Sequence, residues 1–380
     1  MFHFWGRVRF IIVSLSSCNM KDFKEIKGIK IRKDMKVSEL VDGMKDMGFG
    51  ARKIAEASQI MKKMFEDKEC KVFLGVAGAM VPAGMKEIIL DLLDDTGVFV
   101  TTGANLTHDL IEALGESHYQ CDESADDKKL NEEGINRIYN VFMKNSVYEK
   151  LEDFFEKNFD ALKNCGSIKE FLWKIGDILS NENLSFKINP APTRAPNWND
   201  KNILPNSKLS PTQQTKISNT INKSKEVNDN QDSNKSEIYS SILVKCYKQK
   251  IPIFCPGIAD SGIGLMMWGR IVTKKEKTNV DVFSDMNDII DLAWTSKKNG
   301  VIYVGGGVPK NFIQQSLQFS KGADYGIQIT TDRMEPGGSS GALLKEGISW
   351  GKMNKKADFV DVFCDATIAL PLILSSVRNF

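Results

Sequence analysis

The feature that most constrains this chain is a recurring unit: a short, continuously apolar run that ends in glycine or another small residue and gives way to a helical segment. Lys71-Val-Phe-Leu-Gly75 leads into a glycine-rich turn, Met85 to Leu93 reads as a helix, and Val98 to Thr102 is a second apolar run followed by Gly103. Ile251 to Pro256, Val301 to Val304, Tyr325 to Thr330 and Phe359 to Cys364 continue the series. Apolar runs of roughly four to eight residues read as strands covered on both faces, and helices between them impose parallel βαβ units. The expected fold class is therefore α/β: a Rossmann-like, doubly wound, mainly parallel sheet with helices on both faces.

Lys33 to Gly48 and Lys53 to Glu66 space their apolar residues as amphipathic helices do, and further helices are expected at about Glu132 to Met143, Tyr148 to Leu179 and Ile238 to Gln249. From about Asn189 to Asn234 the chain is dominated by Asn, Ser, Lys, Thr and Pro, and Lys201 to Ile238 holds no aromatic residue. Such a stretch buries too little surface to offset its ordering entropy, so a disordered insertion is expected at about 189–234. Because the α/β rhythm resumes after it, it interrupts one catalytic domain spanning residues 20–380. Met1 to Cys18 joins Arg7 and Arg9 to an apolar run, Phe10 to Val13, in faint imitation of an export signal. That run is too short to span a membrane. Met20 is the expected start, and residues 1–19 an unstructured extension.

Charge excludes some classes. Fifty-one basic and 49 acidic residues leave a net charge of +2, no field to recruit nucleic acid or an anionic membrane. Seven cysteines, without a CxxC pair, read as reduced, mostly buried thiols of a cytoplasmic protein. Three dispersed histidines give no metal-ligand spacing, so no metal is expected.

Ligands of an open parallel sheet bind beyond the carboxyl ends of its strands. The strands here end in Gly75-Val-Ala-Gly78, Thr101-Thr-Gly-Ala104, Gly305-Gly-Gly307 and Asp365-Ala366. Glycine there lets backbone approach a pyrophosphate, and a helix starting near Pro309 would aim free N–H groups at it. None of the turns is a GxGxxG; together they favour a nucleotide. A second signal is Glu346-Gly-Ile-Ser-Trp-Gly-Lys352, preceded by Glu335-Pro-Gly-Gly-Ser-Ser-Gly341. An imine-forming lysine sheds its proton near neutral pH when burial or a neighbouring cation helps. Trp350 and Glu346 are an aromatic face and a carboxylate suited to a cationic polyamine.

From Ile31 through Leu374, the insertion apart, the chain resembles the deoxyhypusine synthase family, in particular its archaeal branch. The runs that carry the resemblance are VFLGVAGAMVPAG (72–84), VTTGANLTHDLIEALG (100–115), EGINRIYNVF (133–142), IPIFCPGIADSGIG (251–264), VIYVGGGVPKNFI (301–313), GADYGIQITTDRMEPGGSSGALLKEGISWGK (322–352) and DVFCDAT (361–367). The resemblance implies a homotetramer built from dimers, with NAD and spermidine bound at the dimer interface. It also implies that the 4-aminobutyl part of spermidine, oxidised by hydride transfer to NAD, is held as an imine on Lys352 with release of 1,3-diaminopropane. A lysine of the translation initiation factor 5A precursor then takes the imine over, and the stored hydride reduces it.

Carried over by resemblance, the NAD contacts fall on Gly78, Ala79, Met80, Val81 and Pro82, on Thr102, Gly103 and Ala104, on Asp260, on Gly337 and Ser340, and on Asp365 and Ala366. Lys352 is the expected catalytic residue, and His108, Gly306, Asn311, Glu346 and Trp350 the expected substrate-side residues. Three positions depart from the eukaryotic pattern: His108 stands where an acidic residue is usual, Leu265 replaces a carboxylate and Asn311 replaces a histidine. These bear on the choice of polyamine and acceptor, because relatives of the same fold make homospermidine from a free diamine. Homospermidine synthesis is therefore the alternative activity.

Overall fold

The structure, a computed structural model, describes residues 23–181 and 241–378. The expected extension at 1–19 and the insertion at about 189–234 lie outside the described residues. Two helices, α1 (Val37–Met44) and α2 (Phe49–Glu66), lead to β1 (Cys70–Val76), a π-helical turn (Val81–Met85), α3 (Lys86–Leu93), β2 (Val98–Thr101) and α4 (Gly103–Ala113). Next come β3 (Tyr119–Gln120), α5 (Asp127–Glu132), β4 (Ile135–Ile138), β5 (Val141–Lys144), α6 (Val147–Leu162) and α7 (Ile168–Asn181). The second described segment holds α8 (Ile242–Lys248), β6 (Ile253–Phe254), α9 (Gly262–Lys274), α10 (Ser284–Thr295), β7 (Lys298–Val304) and α11 (Gly307–Gln318). It ends with β8 (Ala323–Thr330), a 3₁₀ turn (Leu344–Ile348), β9 (Met353–Phe363) and α12 (Ala366–Arg378).

Six strands form one sheet in the order β6-β2-β1-β7-β8-β9, and each neighbouring pair is parallel. Alternation along each strand sends side chains to opposite faces. Leu74, Val76, Ile302 and Val304 join Met61 and Met64 of α2 in one core, while Phe73, Val301 and Tyr303 join Phe312, Ile313 and Leu317 of α11 in the other. Burial on both faces is why the strands read as unbroken apolar runs. At the rims, β6 has two residues, and β9 is bulged. Ala323 pairs with Met353 but Tyr325 with Asp358, so residues 354–357 leave the ladder with Lys355 and Lys356 exposed.

The structure corrects three expectations. Glu132 to Met143 is not a helix: β4 and β5 are an antiparallel hairpin, with β3 beside β5 in a separate three-stranded sheet. Ile138 pairs with Val141 across a two-residue turn in which Tyr139 has φ +54°, so turn geometry and β-branched residues overrode the helical reading. The segment from Tyr148 to Leu179 is two helices, broken around Gly166 and Ser167. Cys246 and Cys255 are buried, but Cys70, Cys121, Cys165 and Cys364 are half-buried, because they sit at element ends rather than in element centres.

Asp109 of α4 ties the second described segment to the first. Fully buried, it accepts hydrogen bonds from Ser241 Oγ (2.8 Å), Ile242 N (2.9 Å) and Leu243 N (3.0 Å) at the start of α8. Asp109→Ala strands three donors, and an expected loss of about 3 kcal/mol should appear as a lower urea midpoint.

Candidate active site

The turns after β1, β2, β7 and β9 emerge at one end of the sheet, as a parallel arrangement requires. Asn105, 1% exposed, knits the first two together: its Oδ1 accepts from Val81 N (3.1 Å) and its Nδ2 donates to Thr101 Oγ1 (3.1 Å) and Val76 O (3.4 Å). Thr102 Oγ1 donates to Gly78 O (2.8 Å), where Gly78 has φ +70°. A Cβ on Gly103 would lie 2.3 Å from Ser261 Cβ, so glycine lets the α4 terminus meet the loop that carries exposed Asp260. Beside these turns opens a cleft of about 1050 Å³, lined by Ala79, Met80, Val81, Pro82 and Asp365 of the expected cofactor set. Asp365 also caps α12, its Oδ1 accepting from Thr367 N (2.7 Å) and Oγ1 (2.8 Å); Ala366 opens that helix, and Ala104 lies half-buried in the first turn of α4.

The substrate-side residues do not line that cleft, His108 included. A Cβ on Gly306 would lie 2.3 Å from Ser340 Cα, so Gly306, at the start of α11, brings the exposed loop of Gly337 against the end of β7. Helix α11 begins two residues before Pro309, at Gly307. Asn311 is exposed on it, beside a second hollow of about 600 Å³ that Gly307 and Ser339 also line. Glu346 is exposed, Trp350 is 59% exposed, and Lys352 Nζ lies 5.1 Å from the centre of the Trp350 ring. Ala323 N donates to Lys352 O (3.0 Å) at the start of β8, the end of that strand remote from the cofactor turns. The turn that carries Glu346, Trp350 and Lys352 thus lies outside the dinucleotide-sized cleft.

The deoxyhypusine synthase family model matches residues 39–190 and 204–377. The chain belongs to the deoxyhypusine synthase family. It is 37% identical over 358 residues to the "Probable deoxyhypusine synthase 1" of Methanosarcina acetivorans, covering 93% of this chain and 94% of that one. A similarly named protein of Archaeoglobus fulgidus is 35% identical over 346 residues, covering 90% and 94%. An Entamoeba histolytica crystal structure, assigned by name to the deoxyhypusine synthases, shares the fold with a TM-score of 0.53 at 17% identity, covering 93% of this chain and 97% of that one.

Two polar assemblies of this deoxyhypusine synthase family member escape sequence reading. Lys310 of α11 is 1% exposed, and its Nζ donates to Ser339 O (2.7 Å) and Ala342 O (2.6 Å). Beneath it Gln328 Nε2 donates to Ser340 O (2.8 Å), and Asp361 Oδ1 accepts from Leu344 N (3.1 Å). Tyr303, Gln328 and Asp361 stand in one row across paired strands, a polar floor for the glycine-rich loop. Burial pulls the Lys310 ammonium down to about 8, with Asp361 and Glu346 opposing and Lys352 adding to the fall. A lysine directly after GGGVP was the available signal, and it reads equally as a solvated helix residue.

The second assembly surrounds His108. Its Nδ1 lies 2.8 Å from His118 Nε2, and His118 Nδ1 lies 2.8 Å from Glu112 Oε1. Burial, helped by His118 and opposed by Glu112, pushes the His108 imidazole down to about 4. An imidazole protonated more readily unfolded than folded makes the folded state lose ground as pH falls from about 6.5 towards 4. The loss should reach on the order of 3 kcal/mol. Thermal midpoints across that window should fall more steeply for the wild type than for His108→Asn; parallel curves would refute this.

Proposed function

We propose that this chain is a deoxyhypusine synthase that uses NAD to move the 4-aminobutyl group of spermidine onto a lysine of the translation initiation factor 5A precursor. The observation that carries this reading is the turn Glu346–Lys352, which in a chain of this family presents a lysine amine 5.1 Å from an exposed tryptophan ring and near an acidic side chain. An indole face and a carboxylate suit a flexible polycation, and a primary amine is the nucleophile that can carry an imine.

The cleft has the size of a dinucleotide, and the turns beside it suit one in chemistry: glycines without side-chain bulk, a threonine hydroxyl and a helix N-terminus at Gly103. Ala79 to Pro82, Thr102 and Asp365 would hold NAD, which when bound accepts a hydride and later returns it. Lys352 Nζ forms the C–N bond to the oxidised aminobutyl carbon while the bond to 1,3-diaminopropane breaks. The acceptor lysine then displaces Lys352, freeing it for another cycle. Glu346 and Trp350 hold the cationic chain during both exchanges.

The separation of the lysine turn from the cleft within one chain supports a site completed between subunits of a homotetramer. A stripe of Leu265, Trp268 and Val272 on α9, each more than half exposed, offers an apolar face for such association. We place this work in the cytoplasm, where the protein acceptor is made. Among the described residues no helix is long and apolar enough to cross a membrane. The test is incubation with NAD, labelled spermidine and either the translation factor or putrescine. Label on the factor supports this reading, and label in homospermidine supports the alternative activity.

A further inference from the structure

The side chains of Lys86, Glu112, His118 and His108 form a continuous chain from the large cleft into the body of α4. Lys86 of α3 lies 2.5 Å from Glu112 Oε2, and Glu112 Oε1 lies 2.8 Å from His118 Nδ1. His118 Nε2 in turn lies 2.8 Å from His108 Nδ1. Lys86, Glu112 and His118 line the cleft shared by Ala79 to Pro82 and Asp365, whereas His108 sits behind them, 7% exposed.

The order of partners dictates where each proton sits. Glu112, held below the usual carboxylate range by its bonds to His118 and Lys86 against the burial that raises it, is an acceptor on both oxygens. His118 Nδ1 therefore carries the proton it donates to Glu112, and a neutral His118 has a lone pair on Nε2. That lone pair accepts from His108 Nδ1–H, which leaves His108 Nε2 unprotonated. With a lone pair on His118 Nε2, neither ring is free to choose its tautomer while Glu112 keeps its charge.

We infer that Lys86, Glu112 and His118 are positioning residues that lock His108 as the neutral tautomer with an acceptor Nε2, and that they carry a proton taken there out to the cleft. The inference rests on the proposed reaction, in which His108 stands on the substrate side. An amine becoming an imine loses two hydrogens: the hydride on carbon leaves with its electron pair to the oxidised nicotinamide, and the proton on nitrogen needs a base. His108 Nε2 accepts that proton as its Nδ1 proton moves to His118 Nε2 and the His118 Nδ1 proton moves to Glu112 Oε1. No electrons travel along the chain, and each ring ends neutral in the opposite tautomer; when the stored hydride later reduces the imine, its nitrogen needs a proton, and the same relay run from Glu112 back to His108 Nε2 delivers it and restores both starting tautomers. A neutral imidazole also meets a cationic substrate without repulsion.

The chain holds three histidines, so ¹⁵N-histidine labelling of the full-length protein resolves the matter directly, with His108→Gln and His118→Gln supplying assignments. At pH 7 His108 is expected neutral, protonated at Nδ1 and bare at Nε2, with a proton on the His118 Nδ1 that faces Glu112. Glu112→Gln, whose amide can donate as well as accept, should admit the opposite tautomer in both rings. It should lower kcat about 100-fold, while Glu112→Asp restores part of the rate. Nε2–H on His108 in the wild type overturns the inference, whatever the enzyme's substrate proves to be. So does a Glu112→Gln protein whose histidine spectrum or whose kcat matches the wild type. If spermidine is not turned over at all, the proposed reaction fails and the tautomer measurement still stands on its own.

Discussion

Lys352→Ala is expected to abolish aminobutyl transfer, by about a thousandfold or more, while NAD binding stays within a factor of about two. The asymmetry follows from position: Lys352 lies in a turn before β9, and the cleft proposed for NAD is lined by residues after β1 and β9. Losing one half-exposed side chain removes no core contact, so thermal stability should be unchanged. Borohydride added during turnover of the wild type should leave an aminobutyl group on Lys352, located by peptide mass spectrometry. Full activity in the variant, or the adduct on another lysine such as Lys310, would remove Lys352 from the mechanism.

Complementation between two inactive chains should give the second large effect. Lys352→Ala lacks the carrier, and Asp365→Ala lacks both a cleft carboxylate and the cap on α12; the lost cap costs about 1 kcal/mol without unfolding the chain. If each site takes its cleft from one subunit and its lysine turn from another, a mixed dimer holds one intact site and one doubly damaged site. After subunit exchange in an equal mixture, half the dimers are mixed, so activity should return to roughly a quarter of the wild-type value. Sites built within single chains would give no recovery from the same mixture.

The sheet was legible because burial on both faces removes polar alternation, so β1, β2 and β7 stand out as apolar runs closed by glycine. The hairpin of β4 and β5 was not, because its four-residue strands flank a turn set by Tyr139 in a left-handed conformation, which no local composition announces. The strand-end turns were legible from glycine positions, and Gly103 and Gly306 are where an added Cβ would strike a neighbouring segment. The polar assemblies were hidden for a different reason. His108 and His118 are ten residues apart with a helix end between them, and Lys310 meets carbonyls of residues 339 and 342. Such partnerships are made by tertiary folding, so spacing carries no trace of them. Lys352 entered through family resemblance, since a lysine after Trp-Gly is otherwise an ordinary surface residue.

The rims of the large sheet have a consequence for how the protein behaves when crowded. A long, flat, regular rim is a template on which a foreign strand can add, and that is how many β-containing proteins polymerise unintentionally. Here one rim is two residues long, and the other is broken where residues 354–357 swing out with two lysines exposed. Among the described residues, the regular part of the longer rim is confined to Asp358 to Phe363, which shortens the template open to cross-β growth.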